Sequence, residues 1–283
     1  YSPDSGVNLI QHEGLAFKDL NKNGLLDEYE DWRQDADARA ADLASQLSVD
    51  EIAGMMIHYS QFNVTDDPAE MKDPMDQGVR FILSFATAHP VDVQAKWNNN
   101  MQALAEGSEH GVPVNISTNP RTTPVWPDNL GLAATFDPEV VFEAAKGMAK
   151  EYRALGISTL LGPQIDLAAD PRWSRIGGPF GEDPALSRDM TAASVNGHQS
   201  TFDDSGKDLG WGKDSVNAMI KHWPGDGTGE SGRESHDWYG QYAVYPGGQF
   251  ETSLIPFVDG GLTPGGATGS ATAVMDSYSV AWS

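Results

Sequence analysis

From residue 35 onward, short apolar runs alternate with amphipathic stretches at helical spacing, and this rhythm predicts an α/β fold with a parallel sheet and crossover helices. A second observation narrows the class. Polar residues with chemical potential fall just past the apolar runs, where a (β/α)8 barrel carries its active-site residues, at the C-terminal ends of the strands. A third disfavours the main competitor: no Gly-x-Gly-x-x-Gly opens a helix, as a dinucleotide-binding sheet would require. The expected fold is a TIM-like (β/α)8 barrel, incomplete in this chain, with about six of its eight strands.

Residues 1–35 read as a short arm with its own acidic loop, and 36–283 as the partial barrel. Over 35–55, Ala, Leu and Ile recur at helical spacing, and Ser48 followed by Glu51 forms a capping-box pattern that starts a second helix. Runs of strand length follow at Met55–Ile57, Val79–Phe85, Val112–Ile116, Ser158–Leu161, Ala218–Ile220 and Thr272–Met275. Between them, helices are expected over 91–106, 137–155, 184–198 and 249–258, with Asp137 as an N-cap and Pro138 at the first helical position. Asn119 and Arg121 follow the third run, Asp166 through Arg175 the fourth, Lys221 and His222 the fifth, and Asp276 and Tyr278 the sixth.

The chain of 283 residues, 39% hydrophobic, suffices for one large domain or two small ones. Its 41 acidic and 18 basic residues give a formal charge of −23, which repels a phosphate backbone or an anionic membrane, so nucleic acid is not an expected partner. The absence of cysteine excludes disulfides, thiolate zinc sites, iron–sulfur clusters and a cysteine nucleophile, and suits cytosol and periplasm alike. No apolar run approaches the roughly 18 to 20 residues of a membrane span. Tyr1 is neither a start methionine nor part of a basic signal region, so the N-terminus reads as trimmed and the expected location is periplasmic or secreted.

Asp19-Leu20-Asn21-Lys22-Asn23-Gly24, then five residues and Glu30, fits the twelve-residue calcium loop D-x-[DN]-x-[DN]-G-x5-E without a mismatch. Asp19, Asn21 and Asn23 would each supply one oxygen, the Leu25 carbonyl another, Asp27 one directly or through water, and Glu30 two. Gly24 permits the sharp turn. The plainer reading is a polar Asn/Gly turn ahead of a helix starting near Asp27. A lone loop of this kind serves as a structural clip rather than a sensor, so the expected cofactor is one structural Ca2+, with none for catalysis.

Two further stretches carry chemistry. Asp170-Pro171-Arg172-Trp173-Ser174-Arg175 places two guanidiniums around an indole, a set able to hold sugar hydroxyls or orient carboxylates and equally able to make surface ion pairs. In Lys221-His222-Trp223-Pro224-Gly225-Asp226-Gly227, the adjacent Lys and His reach one site only if the strand terminates there, as Pro224-Gly225 indicates. Trp126, Trp173, Trp223, Trp238 and Trp282 all fall in strand-end loops, where an indole can stack on a sugar, although core packing is the simpler role for each alone.

Taken together, Val112–Arg121 (VPVNISTNPR), Leu130–Pro138 (LGLAATFDP), Asp170–Pro184, Lys221–Gly227 and Val274–Tyr278 (VMDSY) resemble, in order, the N-terminal domain of glycoside hydrolase family 3, the β-glucosidase and β-xylosidase family. The resemblance covers about residues 44 to 280, and the arm with Tyr29-Glu30-Asp31-Trp32-Arg33 resembles a subset of bacterial members. It implies a (β/α)8 or collapsed barrel that hydrolyses β-glycosides with retention. It also implies sugar binding by Arg175, Lys221, His222 and Tyr278, with Tyr278 beside the nucleophile, and by Asn119 at the third strand's end.

Three departures qualify the resemblance. Asn119 stands where the family usually has an Asp, which turns an acceptor-only carboxylate into an amide. Ile176-Gly177-Gly178-Pro179 replaces a segment that commonly holds a Glu, and the strand expected to carry the nucleophilic Asp lies downstream of Ser283. The remaining barrel strands and a second domain bearing the acid/base are therefore expected partners, in the same or another chain. Glu234-Ser235-His236 resembles, with a Glu for an Asp and in a longer loop, the Asp-x-His acid/base pair of the family's β-N-acetylglucosaminidases. A loop-ordering or substrate contact is the alternative role for His236. The expected activity is release of terminal β-D-glucosyl residues from β-glucosides or oligosaccharides, this segment being inactive alone. Alternatives are a β-xylosidase or β-N-acetylglucosaminidase, or a non-catalytic calcium-dependent sugar-binding or assembly module.

Overall fold

A computed structural model describes residues 2–62, 64, 68–84, 90–120 and 126–282. The chain groups into two compact units, 1–117 and 118–283.

In the first unit, β1 (Asn8–His12) and β2 (Leu15–Asp19) form an antiparallel hairpin that carries Phe17 into the interior. Helix α1 (Ala36–Gln46) begins at Asp35, whose carboxylate accepts the Asp37 amide. Helix α2 (Val49–Met55) begins at the expected capping box, in which Ser48 Oγ accepts the Glu51 amide and Glu51 accepts the Ser48 amide. That helix corrects the first strand expectation. Met55 ends α2, the two apolar residues after it are exposed, Met56 at 84%, and the strand β3 is instead His58–Gln61. After α3 (Lys72–Asp76), β4 (Phe81–Ser84) lies parallel to β3. Helix α4 (Val91–Glu106) matches its expected limits and buries Gln94, Trp97, Asn98, Met101 and Ala105, one face at three- and four-residue spacing. β5 (Asn115–Thr118) pairs parallel with β4.

The second unit opens with α5 (Asn129–Ala133) and α6 (Pro138–Ala154). Asp137 accepts the Glu139 amide and Pro138 occupies the first turn, as expected, while Val141, Ala144, Ala145, Ala149 and Tyr152 form the buried stripe. β6 (Thr159–Leu160), β7 (Asn217–Trp223) and β9 (Ala273–Asp276) are parallel neighbours in that order, and α7 (Pro184–Gln199) crosses from the first to the second of them. Ile165, Met190, Val195, Ala218, Ile220 and Phe257 share one core. The helix expected at 249–258 is α8 (Phe250–Ile255), continued by a wider turn through Gly261. Two short strands that the apolar runs did not signal, β8 (Tyr242–Val244) and β10 (Val280–Trp282), pair in parallel.

The class is thus α/β as expected: three parallel strands in each unit, six of the eight of a TIM-like barrel. Among the described residues no helix is long and apolar enough to cross a membrane.

Candidate active site

β7 carries its apolar residues into the core and its last residues toward the ends of the neighbouring strands. Ala218 and Ile220 are fully buried, and Lys221 and His222 remain nearly so at 3% and 6% exposure. Two charged or polar side chains at that depth need partners. Lys221 Nζ donates to Asn119 Oδ1 at 2.8 Å, one residue past β5. His222 Nδ1 lies 3.0 Å from Asp166 Oδ2. The strand terminates just past Lys221 and His222, as Pro224-Gly225 indicated. It ends at Trp223, directly before Pro224, with a register shift against β9 between Lys221 and Trp223.

Asp166 is completely buried, and its Oδ1 also accepts the His222 amide at 3.0 Å and the Asp226 amide at 2.7 Å. Burial alone would raise its pKa. The bonds from His222 and from the two amides outweigh that and hold the carboxyl below its usual range. Gly227 fixes the backbone here, because a Cβ at this position would sit 1.9 Å from the Leu167 carbonyl oxygen.

Arg175 donates from NH2 to Gln164 Oε1 at 3.2 Å, and Gln164 forms a parallel bridge with Lys221. A Cβ at Gly178 would meet that same Gln164 oxygen at 2.3 Å. The glycine that stands in the segment where a Glu was expected therefore makes room for the glutamine amide that receives Arg175. Asn119, Trp126, Gln164, Arg175, His198 and Lys221 all line one cavity of about 600 Å3. His198 is buried on α7, its Nδ1 on the Ser194 carbonyl, and burial pushes its pKa down to about 4.

His222, Glu234, His236 and Tyr278 form a second group beside this cavity rather than in its lining. Glu234 accepts from Trp173 Nε1 at 2.6 Å, contacts His236 Nδ1 at 2.6 Å and lies 3.7 Å from Arg175 NH1. The His236 ring meets Tyr278 edge-on at 4.9 Å, and Tyr278 is otherwise 73% exposed. Of the tryptophans, Trp126 faces the cavity, Trp173 is buried, Trp223 packs on Phe257, and Trp238 and Trp282 are exposed. Arg121 lies outside the described residues. Sequence reasoning passes over Gln164 and His198, and weighs Asp226 only as a local carboxylate that does not match the family's nucleophile. Gln164 and Asp226 do follow apolar runs, and that signal had been used for their neighbours.

In the arm, the loop ligands are drawn together by hydrogen bonds. Asp27 Oδ2 accepts from Asn21 Nδ2 at 2.6 Å and Asn23 Nδ2 at 2.7 Å, and Glu30 accepts the amides of Leu20, Asn21 and Asp27. Gly24 takes the left-handed φ of +80° that the sharp turn needs, and its amide donates to Asp19 Oδ2. Among the described residues no three Asp, Glu or His side chains are gathered as a ready metal cage. Two observations fit a hard cation nonetheless. Asp19 Oδ1 is buried without a hydrogen-bond partner, and burial raises the Glu30 pKa against the amides that lower it.

The glycosyl hydrolase family 3 N-terminal domain profile matches residues 78–259. The chain is 38% identical over 304 aligned residues to a periplasmic β-glucosidase/β-xylosidase of Dickeya chrysanthemi, covering 97% of this chain and 44% of that protein. It is 33% identical to β-glucosidase C of Emericella nidulans, covering 94% and 45%. Among solved structures, a β-glucosidase from Erythrobacter marinus superposes with a TM-score of 0.70 at 24% identity, over 90% of this chain and 33% of the other. A family 3 β-N-acetylglucosaminidase from Paenibacillus gives 0.66 at 23%, over 83% and 43%. The chain spans less than half the length of these curated relatives. Profile, curated relatives and fold agree that the chain belongs to glycosyl hydrolase family 3 and carries its N-terminal domain.

Proposed function

We propose that this chain forms the sugar-binding portion of a retaining β-glycosidase that releases terminal β-D-glucosyl residues from β-glucosides or oligosaccharides. The observation that carries the reading is the cavity wall, where Lys221 and Arg175 are held in place by the amides of Asn119 and Gln164 next to an indole, Trp126. Such a wall offers donors to ring hydroxyls and an apolar face to the sugar's C–H side. His222 and Tyr278 would complete the grip from the neighbouring group.

Retention requires a nucleophile and an acid/base about 5 to 5.5 Å apart. On the family resemblance we assign the nucleophile to an Asp downstream of Ser283 and the acid/base to a further domain; Asp166, Asp226 and Glu234 instead make hydrogen bonds within this chain. Those parts, in the same or another polypeptide, are the partners of this chain. The relatives named periplasmic support a periplasmic or secreted location. The arm would hold one structural Ca2+ through Asp19, Asn21, Asn23, the Leu25 carbonyl, Asp27 and Glu30. The ion would neutralise the loop carboxylates, the buried Asp19 oxygen among them.

A second reading has its own observation. The Glu234–His236 contact is the geometry of an acid/base pair, which favours a β-N-acetylglucosaminidase. The test is to offer the complete polypeptide nitrophenyl β-glucoside, β-xyloside and N-acetyl-β-glucosaminide, following the anomer released by NMR. Turnover of the glucoside with the β-anomer formed first is expected. Preference for the acetamido sugar, abolished by His236→Ala, supports the second reading. Glucose binding without any turnover makes the protein a sugar-binding module.

A further inference from the structure

We propose that Asp226 is the positioning residue that sets His222, His236 and Tyr278 in one register around the sugar, an inference that rests on the glycosidase reading above. Asp226 is 2% exposed, and each of its carboxylate oxygens reaches a different stretch of chain. Oδ2 accepts Ser235 Oγ at 2.8 Å and lies 3.5 Å from His222 Nδ1. Oδ1 accepts Ser277 Oγ and faces Ser279 Oγ at 3.5 Å. Its own amide is tied to Asp166, which also holds the His222 ring.

Each serine sits next to a group of interest. Ser235 separates Glu234 from His236, and Ser277 and Ser279 flank Tyr278. The turn at Tyr278 has a second anchor, the Ser277 amide on the Trp223 carbonyl at 2.8 Å, so it hangs from the end of β7 on one side and from Asp226 on the other. The edge-on contact of His236 with Tyr278 follows from both being tethered to the same carboxylate. At 2% exposure and outside the cavity lining, Asp226 is poorly placed to attack a sugar's anomeric carbon. Its place at the junction of three segments suits fixed geometry instead. An amide replaces it only in part: Asn keeps one acceptor oxygen, and its NH2 limb makes the facing serine reverse its hydrogen bond and removes an acceptor beside His222 Nδ1.

The complete polypeptide is compared with Asp226→Asn, Ser235→Ala and Ser277→Ala, by steady-state kinetics on aryl β-glucoside and by amide hydrogen exchange. In Asp226→Asn, kcat is expected to fall about ten- to a hundredfold. KM should change less than kcat, because Lys221 and Arg175 in the cavity wall are untouched while His222 and Tyr278 lose their register. Exchange should quicken in both 230–241 and 277–279 while α6 keeps its protection. Ser235→Ala should loosen the first segment alone, and Ser277→Ala the second alone. Unchanged kcat in Asp226→Asn, a change confined to KM, or exchange that rises uniformly along the chain would each overturn the role. If the wild type hydrolyses none of the glycosides offered, the functional reading fails. Selective loosening of both segments then supports the tether, and its absence refutes it.

Discussion

In the loop from Asp19 to Glu30, four carboxylates lie within one short stretch, and the partners of Asp19, Asp27 and Glu30 are backbone amides and two asparagines. Around His222 the two buried carboxylates meet an imidazole and hydroxyls brought from 56 and 51 residues away. The first arrangement gathers negative charge that nothing in the loop neutralises; the second surrounds its charge with donors drawn from other strands. On the proposed reading a local acidic motif takes an ion from solution, whereas a site built across strand ends supplies its own counter-groups.

The largest expected effect follows from removing one of those counter-groups. Asp166→Ala strips the acceptor from His222 Nδ1 and from two buried amides, and should cost about 3 kcal/mol or more in denaturant unfolding. Asp27→Ala in metal-free protein releases only two asparagine amides near solvent and should cost about 1 kcal/mol or less. Equal losses would erase the distinction between the two regions.

Acid should separate them next. His198 titrates at about 4 when folded and near 6.5 when unfolded, so between these values the unfolded chain binds the extra proton. Stability is therefore full above pH 6.5 and falls as pH drops toward 4, by about 3 kcal/mol from this group. His198→Gln should flatten that limb of the pH profile, and an unaltered slope would move the acid sensitivity elsewhere.

Lys221→Ala or His222→Ala should slow turnover without unfolding the chain, by the roughly 1.5 to 3 kcal/mol of a charged hydrogen bond tightened in the transition state, His222→Ala also losing stability because it strands the buried Asp166. Wild-type kinetics in either variant would assign that residue to structure alone. The smallest effect belongs to the arm: calcium at ten times its Kd adds about 1.4 kcal/mol. A thermal melt with and without chelator should show the shift, and Glu30→Gln should shrink it while leaving sugar binding intact. No shift, with no calcium by elemental analysis, removes the ion from the account.

What could be read in advance differs between the regions for the same reason. Helix starts at Ser48, Asp137 and Pro184 were legible because a cap and the amide it accepts are neighbours in sequence. The first strand was misplaced because an apolar run alone does not tell a strand from the end of a helix, and α2 claimed Met55. Residue types at the site were legible as polar groups after apolar runs, but Gln164 and Asp226 gave no signal beyond that.

The sequence by itself determined the α/β class and the family and singled out Arg175, Lys221 and His222 as groups to watch, since each rests on spacing or on a short motif; the calcium loop it suggests stands as a proposal. Only the tertiary structure decided that Gln164 takes Arg175, that Asn119 takes Lys221 from 102 residues away, and that one buried carboxylate at Asp226 joins His222 to the segments carrying His236 and Tyr278. Those pairings depend on which strands become neighbours and how far each runs before it bends. That is settled by burying the whole core at once, a cooperative outcome that no local pattern encodes.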